Sequence, residues 1–474
     1  MMGLCLSVAL AVAVAVPAAF GAGAAGAGGR VRDQLIVTWK TGSTEGQRSA
    51  VLAGVGALSR THLAAHSISR AAAANDLVGL GAATSADAAL ARLRSSSAVA
   101  HVEHNALLHG AGNPALPSQF SDPYLTALGG SCESRICSQW GLLGNTYTPS
   151  ARFGANAVAA WARGFTGDPS VYVGVVDEGV DISHPDLEQN IFTNPYDPPD
   201  GVDNDGNGYV DDTHGWDFFS NDNSVFDGKE PFDLIDAHGT IVAGEIGALG
   251  GNGIGGSGVA PHATIIPAKF LGPEVGTDAG AIAALDYLTD LKLRHGLNIV
   301  ATNNSWESRG EDDEEPLAVQ AAIQRAADAG ILFVTIAGNG DERGHGYDLD
   351  KTPNYPAALE CHLPSGGDCM ITTTAIRRGG SKPGWANYGS KTVDIGAPGV
   401  FVWSTFPFGG YEAYDGTSQA APFVAGAVAL YASAHPGASA EAIRNAIVST
   451  AKPTRSLEGL VATNGRLDIA GAVK

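Results

Sequence analysis

This chain has few cysteines, few basic residues and no apolar run that reaches membrane-spanning length. Its 474 residues include 5 cysteines, and 28 Lys and Arg stand against 49 Asp and Glu, which gives a formal net charge of −21. A protein this acidic repels nucleic acids and anionic membranes, so we exclude both as partners. The ordinary hydrophobic fraction of 44% excludes a disordered or fibrous chain and indicates globular domains with a large core.

The amino-terminal residues differ from the rest of the chain. An apolar run from Leu4 to Val16 is followed by small residues, although no Lys or Arg precedes it. The run is too short to span a bilayer and is typical of a secretion signal, which we assign to residues 1–29. We therefore expect a secreted, extracellular protein that has no membrane association once the signal is removed.

Four cysteines remain after this signal, and they form two close pairs. Cys132 lies five residues from Cys137, and Cys361 lies eight residues from Cys369. An exported chain with an even number of cysteines favours disulfides, and of the three possible pairings proximity favours the two local ones. The alternative is two pairs of buried thiols, because the spacing without neighbouring histidines argues against a zinc site.

Composition and periodicity divide the remaining chain into three parts. Residues 30–111 carry a net charge of +3 and read as a small α+β domain with strand "DQLIVTWK", helix "SADAALARLRS" and strand "VAHVEHNALLH". Residues 112–150 are rich in Gly, Pro and Ser and read as an arm that leads into residues 151–474. There, near-continuous Val and Ile runs alternate with helices, the main ones predicted at 240–249, 278–295, 316–329 and 419–434. This pattern predicts a doubly wound α/β fold, with a mainly parallel sheet covered by helices on both faces.

Three polar residues of this part fall where strands end or helices begin. Asp177 ends the strand "VYVGVVD", His238 begins a helix in "HGTIVAGEIGA", and Ser418 begins another in "DGTSQAAPFVAG". Each has a simpler reading: a turn residue, a surface histidine and a helix N-cap. Together they are a nucleophile, a base and a carboxylate that orients the base. The chain order Asp, His, Ser is that of subtilisin and differs from the order in α/β-hydrolases.

These motifs resemble those of the subtilisin-like serine protease family, and the resemblance covers most of the chain. Further similar stretches are "TIAGN", "NGIGGSGVAP", "NYPAALE", "WANYGSKTVDIGAPG" and "NGRLDIAGAV". The sequence departs from the family pattern at Gln419, where methionine is commoner, and at Glu178, which replaces the usual Thr or Ser. The resemblance implies a subtilisin-like fold and a serine endopeptidase that needs no catalytic cofactor.

The resemblance also assigns roles to individual residues. Asn339 in "TIAGN" matches the asparagine that donates to the oxyanion, and Gly338 precedes it. Three consecutive residues, Ser305, Trp306 and Glu307, match the family strand that flanks the primary specificity pocket, and Glu307 falls where glycine is usual. An acidic side chain at that place favours cationic substrates, whereas the simpler reading is a solvated acidic surface.

The stretch "DGVDNDGNGYVDD" combines carboxylates with glycines in a pattern similar to a calcium loop. Its predicted ligands are Asp203, Asp205, Asn207, Asp211 and the Tyr209 carbonyl. His214 stands where an EF-hand needs a bidentate glutamate, so the loop is not an EF-hand. Crowded carboxylates repel one another unless a hard cation neutralises them, so we expect structural rather than catalytic calcium. The alternative is an acidic turn.

The domain at 30–111 resembles the inhibitory propeptide of the same family. We expect it to act as an intramolecular inhibitor of a monomeric enzyme whose partners are protein or peptide substrates. Two other functions stay open from the residues alone. A non-catalytic, calcium-stabilised binding protein on this fold would lack triad or oxyanion residues, and none is missing. An esterase would use the same groups on a different substrate.

Overall fold

The computed structural model describes residues 25–26, 30–62, 75–81, 84–106, 122–126, 139–146, 150–230, 234–272, 275–308 and 315–474. The chain divides into two compact units, residues 1–111 and residues 112–474. Within the described ranges, no helix combines the length and the apolar character needed to cross a membrane. The predicted signal, residues 1–29, lies outside the described residues except for Ala25 and Gly26.

The first unit is an α+β domain, as the sequence predicts. Its elements are β1 (Ala25–Gly26), β2 (Arg30–Trp39), α1 (Glu45–Gly54), β3 (Ala57–His62), β4 (Asn75–Leu80), α2 (Ala86–Arg94) and β5 (Val99–Ala106). The four longer strands form an antiparallel sheet in the order β5, β2, β4, β3, which is the ferredoxin-like arrangement. In β2, the side chains of Leu35, Val37 and Trp39 alternate into the core and are fully buried.

Sequence reasoning misses α1, β3 and β4 of this unit. α1 begins at a capping box, in which the Thr44 hydroxyl accepts from the Gln47 N–H and the Gln47 side chain accepts from the Thr44 N–H. The signal is present in the sequence as "TEGQ", but the helix that follows buries only Leu52 among its residues and has a weak apolar pattern. Such a short helix is stabilised by its cap and its tertiary contacts more than by periodicity.

The second unit is built on a large, mainly parallel sheet. Its strands are β6 (Val171–Asp177), β7 (Trp216–Asp217), β8 (Thr264–Lys269), β9 (Asn298–Asn304), β10 (Leu332–Ile336), β11 (Met370–Ile376), β12 (Ile395–Pro398), β15 (Lys452–Pro453) and β16 (Gly465–Arg466). Their order in the sheet is β15, β16, β12, β11, β10, β9, β6, β8, β7. Every neighbouring pair in the described sheet is parallel except β15 with β16. A separate antiparallel hairpin joins β13 (Val402–Phe406) to β14 (Gly410–Tyr414).

Helices cover both faces of this sheet. The helices described in this unit are α3 (Pro123–Thr126), α4 (Ala157–Trp161), α5 (Ala237–Gly247), α6 (Asp278–His295), α7 (Leu317–Asp328), α8 (Ala421–Ala434), α9 (Ala440–Ser449) and α10 (Ile469–Ala472), of which α5, α6, α7 and α8 contact its strands. α5 packs against α8, and α6 packs against α7. The predicted doubly wound α/β fold is therefore confirmed.

The predicted boundaries agree best where the apolar period is clear. α6 spans the predicted residues and ends at His295; Gly296, with a φ of +71°, is its left-handed C-cap. α5 begins at Ala237, three residues before the prediction. The predicted helix at 419–434 consists of a 3-10 turn, Thr417–Gln419, followed by α8. β12, β13 and β14 were not predicted, because short strands of four or five residues carry little periodic signal.

The Cys361–Cys369 disulfide is present, with its two Cα atoms 5.6 Å apart. It confirms one of the two local pairings and closes the loop that leads into β11. Both cysteines are buried. Cys132 and Cys137 lie outside the described residues.

Candidate active site

The site forms where the order of strands in the sheet reverses. β6 lies between β9 and β8: the chain runs from β6 to β7 and β8 on one side of it and then crosses to β9 on the other side. In open α/β sheets, such a point leaves a crevice beyond the carboxyl ends of the strands. Asp177 is the last residue of β6 and is paired in register with Lys269 of β8.

Asp177 and His238 are in direct contact. The Asp177 side chain is fully buried, and its Oδ1 atom accepts hydrogen bonds from the Glu178 N–H and from His238 Nδ1, both at 2.7 Å. The second carboxylate oxygen, Oδ2, has no hydrogen-bond partner among the described residues. Because Nδ1 donates to Asp177, the other ring nitrogen of His238 is the one left to accept a proton. The ring is 29% exposed, so this nitrogen can meet a substrate.

The charges around His238 raise its pKa. Burial by itself lowers the pKa of this imidazole, but the Asp177 carboxylate, through charge and hydrogen bond, and the Glu178 carboxylate outweigh burial and raise it to about 9. Glu178 Oε2 accepts the His238 backbone N–H at 3.1 Å, at the start of α5. Burial and the neighbouring Asp177 raise the pKa of Glu178 to about 7.

Ser418 lies in the 3-10 turn before α8, and this turn packs against α5. Its hydroxyl is largely buried and donates to the Ser305 carbonyl at 3.4 Å; among the described residues it has no hydrogen bond to His238. The helix-cap reading of Ser418 is wrong. The N-cap of α8 is Ala420, and no side chain makes a capping hydrogen bond there. The Ser418 hydroxyl is thus not used to cap α8.

Asn339 follows β10 and faces the same turn. Its Oδ1 atom accepts from the Thr417 N–H and from the Thr417 hydroxyl, both at 2.9 Å. The amide oxygen is thereby fixed toward the turn, and Nδ2 is left to donate elsewhere. Neither Asn339 Nδ2 nor the Ser418 backbone N–H has an acceptor within the described part of the chain. Two donors without acceptors beside a serine hydroxyl are the arrangement that stabilises an oxyanion.

The predicted substrate-binding residues have different environments. Ser305 is buried, and its hydroxyl donates to the Ser418 carbonyl at 2.9 Å, so it supports the turn that carries Ser418. The Trp306 ring packs edge-on against Phe270 and Phe333, with centroids 5.2 and 6.4 Å away. Trp306 is therefore in large part a core residue.

Glu307 and Gly338 are in contact. The Glu307 carboxylate accepts from the Asn354 side-chain amide at 2.6 Å. A Cβ atom added to Gly338 would lie 2.0 Å from Glu307 Oε2, and Gly338 has a φ of +96°, so glycine is required both by space and by backbone conformation. The carboxylate thus lies against the residue that precedes Asn339.

The predicted calcium loop is held by its own backbone. Asp203 accepts from the N–H groups of Gly206, Asn207 and Gly208, and the Asp211 carboxylate accepts from the N–H groups of residues 200 and 201. Gly206 and Gly208 have φ values of +71° and +95°, which bend the loop. Among the described residues, no three acidic, His or Cys side chains converge as a metal site would require.

Basic residues at the end of α6 contact this loop. His295 Nε2 lies 3.0 Å from Asp205 Oδ2, and the Arg294 guanidinium donates to the Asp205 carbonyl. Hydrogen bonds from the N–H groups of Gly208, Gly206 and Asn207 lower the pKa of Asp203. Part of the polar contacts of Asp205 thus come from α6, and calcium binding at this loop stays a prediction.

Sequence reasoning missed three charged residues near the Asp177–His238 pair. Lys269 is buried and bonds to Asp236, the residue that precedes α5. Glu245 lies two turns after His238 on α5, is fully buried and has no partner for either carboxylate oxygen among the described residues. The available signal was a charged residue in an otherwise apolar element: Lys269 ends the strand "TIIPAK" and Glu245 interrupts "IVAGEIG".

Comparisons with known proteins agree with this geometry. Subtilisin-like protease 1 of Plasmodium berghei (strain Anka) is 29% identical over 313 residues, which are 63% of this chain and 49% of that protein, so the chain spans about half the length of that relative. Subtilisin amylosacchariticus of Bacillus subtilis subsp. amylosacchariticus is 30% identical over 312 residues, which are 65% of this chain and 68% of that protein. A solved protease structure from Pseudoalteromonas arctica PAMC 21717 is similar, with a TM-score of 0.51 at 26% identity, covering 71% of this chain and 96% of that one.

The sequence profile described as the Subtilase family matches residues 168–470. This match includes every residue of the site described above and spans more than half of the chain. The chain therefore belongs to the subtilase family of serine peptidases.

Proposed function

We propose that this protein is a secreted serine endopeptidase that hydrolyses peptide bonds through an acyl-enzyme. The observation that carries the proposal is the 2.7 Å hydrogen bond between His238 Nδ1 and the buried Asp177 carboxylate. It fixes the ring so that the opposite nitrogen can take a proton. The turn that carries Ser418 packs against the helix that carries this ring.

In the first step, the Ser418 hydroxyl leaves the Ser305 carbonyl, turns to His238 Nε2 and attacks the substrate carbonyl carbon. Hydrogen bonds of this kind are often long before substrate binds and shorten in the reactive complex. The proton moves to Nε2, and the Asp177 carboxylate stabilises the imidazolium. The negative oxygen of the tetrahedral intermediate accepts from Asn339 Nδ2 and from the Ser418 backbone N–H.

In the second step, His238 gives the proton to the leaving amine, which departs and leaves the acyl group on Ser418. Water then replaces the amine, and His238 takes a proton from it as it attacks the acyl carbon. The second tetrahedral intermediate breaks its bond to Ser418 Oγ, which regains the proton from His238, and the new carboxyl terminus is released. Every proton transfer uses one ring nitrogen of His238. No cofactor takes part in these transfers.

We further propose that the chain is made as an inactive precursor. Residues 1–111 form their own compact unit, with a net charge of +3 against −24 for the rest of the chain, so the two attract each other at long range. The resemblance of this unit to inhibitory propeptides suggests that it blocks the cleft until the chain is cut near residues 109–113. The Cys361–Cys369 disulfide supports an oxidising, extracellular location for the monomeric mature enzyme.

Structural calcium is proposed at the loop of residues 200–212. The donors would be the carboxylates of Asp203, Asp205 and Asp211, with Asn207 and the Tyr209 carbonyl. They are all oxygen donors, as calcium prefers. The backbone hydrogen bonds of Asp203 and the contact of His295 with Asp205 would have to rearrange or be shared with the ion.

The experiment that tests the activity compares the full-length wild type with Ser418→Ala and Ser433→Ala. Ser433 lies on α8, where its hydroxyl bonds to the Ala429 carbonyl, so its substitution is a matched control. We expect casein hydrolysis and removal of the leader in the wild type and in the control, and neither in Ser418→Ala. Hydrolysis by Ser418→Ala at the wild-type rate would refute the nucleophile. Removal of the leader from Ser418→Ala, purified free of other proteases, would refute only the proposal that the enzyme cuts its own leader.

A further inference from the structure

Lys269 is a buried cation next to the Asp177–His238 pair. It ends β8, in register with Asp177, and its side chain is 2% exposed. Its ammonium group lies 2.5 Å from the Asp227 carboxylate, 3.0 Å from that of Asp236 and 3.5 Å from that of Asp217. A buried charge costs several kcal/mol unless it is paired in this way. The three carboxylates therefore hold the ammonium group in place, and the ammonium group in turn holds the carboxylates.

Asp236 is the centre of this cluster. One carboxylate oxygen accepts from the Gly179 N–H at 3.0 Å, and the other accepts from Lys269 and from the Asp227 N–H. Its backbone carbonyl accepts from the Thr240 hydroxyl at 2.8 Å. Asp236 thus joins β8, the segment that follows Asp177 and the first turn of α5. It does so with a φ of +60°, a conformation that a non-glycine residue keeps only when its surroundings hold it.

The space around this junction is small. A Cβ atom on Gly239 would lie 2.4 Å from the Glu178 carbonyl oxygen and 2.5 Å from that of Gly179. A Cβ atom on Gly179 would lie 2.6 Å from the Asp236 carboxyl carbon. The start of α5 therefore rests directly on the backbone that follows Asp177. His238 lies between Asp236 and Gly239, so any displacement of this helix end moves its imidazole relative to Asp177.

We infer that the ion pair between Lys269 and Asp236 positions His238 against Asp177 for proton transfer. Lys269 is a positioning residue, since it contacts the cluster and not the ring. The inference rests on the proposed function, because it assigns to His238 the role of base. It also distinguishes two of the carboxylates: Asp236 holds the helix end, whereas Asp227 is 39% exposed and can be replaced by water.

The experiment uses the full-length protein with Lys269→Met, Lys269→Arg, Asp236→Asn and Asp227→Asn. Arg444→Met is the matched control, because Arg444 is also a mostly buried cation paired with carboxylates. Its partners Asp368 and Asp394 precede β11 and β12, at the ends of these strands opposite to the site. We measure kcat and KM separately, the melting temperature, and the low-field proton resonance of His238 Nδ1. The resonance is recorded in a Ser418→Ala background to prevent self-digestion.

We expect Lys269→Met and Asp236→Asn to lower kcat on the order of 10- to 100-fold, as small misplacements of a catalytic group do, with KM within about twofold. The Nδ1 resonance should broaden or shift in both. Lys269→Arg should restore most of kcat, and Asp227→Asn should stay within about twofold of the wild type. Arg444→Met should lower the melting temperature and leave kcat and the resonance unchanged.

Wild-type kcat and resonance in Lys269→Met would overturn the inference, and so would a loss of kcat in Arg444→Met that matches that of Lys269→Met. If Lys269→Met does not fold, kcat and the Nδ1 resonance of the isosteric Asp236→Asn decide whether the inference holds. The resonance does not depend on hydrolysis. A failure of the proposed function, seen as activity retained in Ser418→Ala, is therefore distinguishable from a failure of this positioning role.

Discussion

The Glu178 carboxylate accepts the backbone N–H of His238 at 3.1 Å, and the same residue follows Asp177 in the chain. Two carboxylates thus flank one imidazole, which raises its pKa to about 9 against the opposing effect of burial. The base form of His238 predominates only above this pKa. We therefore expect kcat/KM to rise between pH 7 and about pH 9.

Replacing Glu178 by Gln should move this rise toward lower pH, because the variant removes a negative charge that favours the imidazolium. The measurement is the pH profile of kcat/KM for a neutral peptide substrate. Glu412→Gln is a control, since Glu412 is an exposed carboxylate on the neighbouring hairpin. A Glu178→Gln profile that coincides with the wild type would show that this carboxylate does not influence the base.

Asn339 should contribute to the rate and not to substrate binding. Asn339→Ala removes the Nδ2 donor, so we expect kcat to fall about 10²- to 10³-fold with little change in KM; this magnitude is the one known from the corresponding change in subtilisin, a relative. Thr417→Val is a useful companion, because it removes the hydroxyl that donates to the Asn339 amide oxygen and leaves the amide itself. Thr417→Val should lower kcat less than Asn339→Ala does. A rise in KM as large as the fall in kcat for Asn339→Ala would contradict an oxyanion role.

Glu245 should make stability depend on pH. Burial and the nearby Asp177 raise its pKa well above the ordinary value, so it is neutral in the folded protein, whereas in the unfolded chain it ionises above about pH 4.5. Its contribution to stability is full below that pH and is lost as the pH rises. Glu245→Gln has no ionisable group at this position, so it does not lose stability in this way as the pH rises. The melting temperature of Glu245→Gln minus that of the wild type should therefore increase from pH 4.5 to pH 8. A difference that stays constant with pH would contradict the buried neutral state.

Calcium should stabilise the loop of residues 200–212 if the proposed site exists. Excess chelator should lower the melting temperature of the wild type and speed its self-digestion, and Asp203→Asn with Asp205→Asn should abolish the difference. Asp286→Asn, which removes an exposed carboxylate paired with Arg325, is the control. A wild-type melting temperature that chelator leaves unchanged would count against the site.

Glu307 should favour substrates with a cationic residue before the scissile bond. Its carboxylate lies against Gly338, next to Asn339, and accepts from the Asn354 amide. In a peptide panel that varies only this residue, we expect higher kcat/KM for Lys and Arg than for Leu or Phe. Glu307→Gln should reduce the difference. Equal or faster cleavage after neutral residues by the wild type would rule out an acidic pocket.

Much of the fold could be predicted from local patterns. α6 and the strands that carry Asp177 and Lys269 have strong apolar runs or a clear helical period, and their bounds agree closely with the structure. The capping box of α1 and the four-residue β12 carry signals too short to separate from turns. The reading of Ser418 as a helix cap failed because a serine before an alanine-rich run is compatible with both a cap and a 3-10 turn.

The order of Asp177, His238 and Ser418 along the chain, with the motifs around them, was enough to indicate the triad chemistry and the family. Only the tertiary structure decided that His238 lies 2.7 Å from Asp177, 61 positions away along the chain, and that Lys269 reaches Asp236 across the end of the sheet. The physical reason is that periodicity reports on neighbours one turn or one strand apart. Distances across a crevice depend on how strands are ordered and how closely glycines such as Gly179 and Gly239 let the backbones approach.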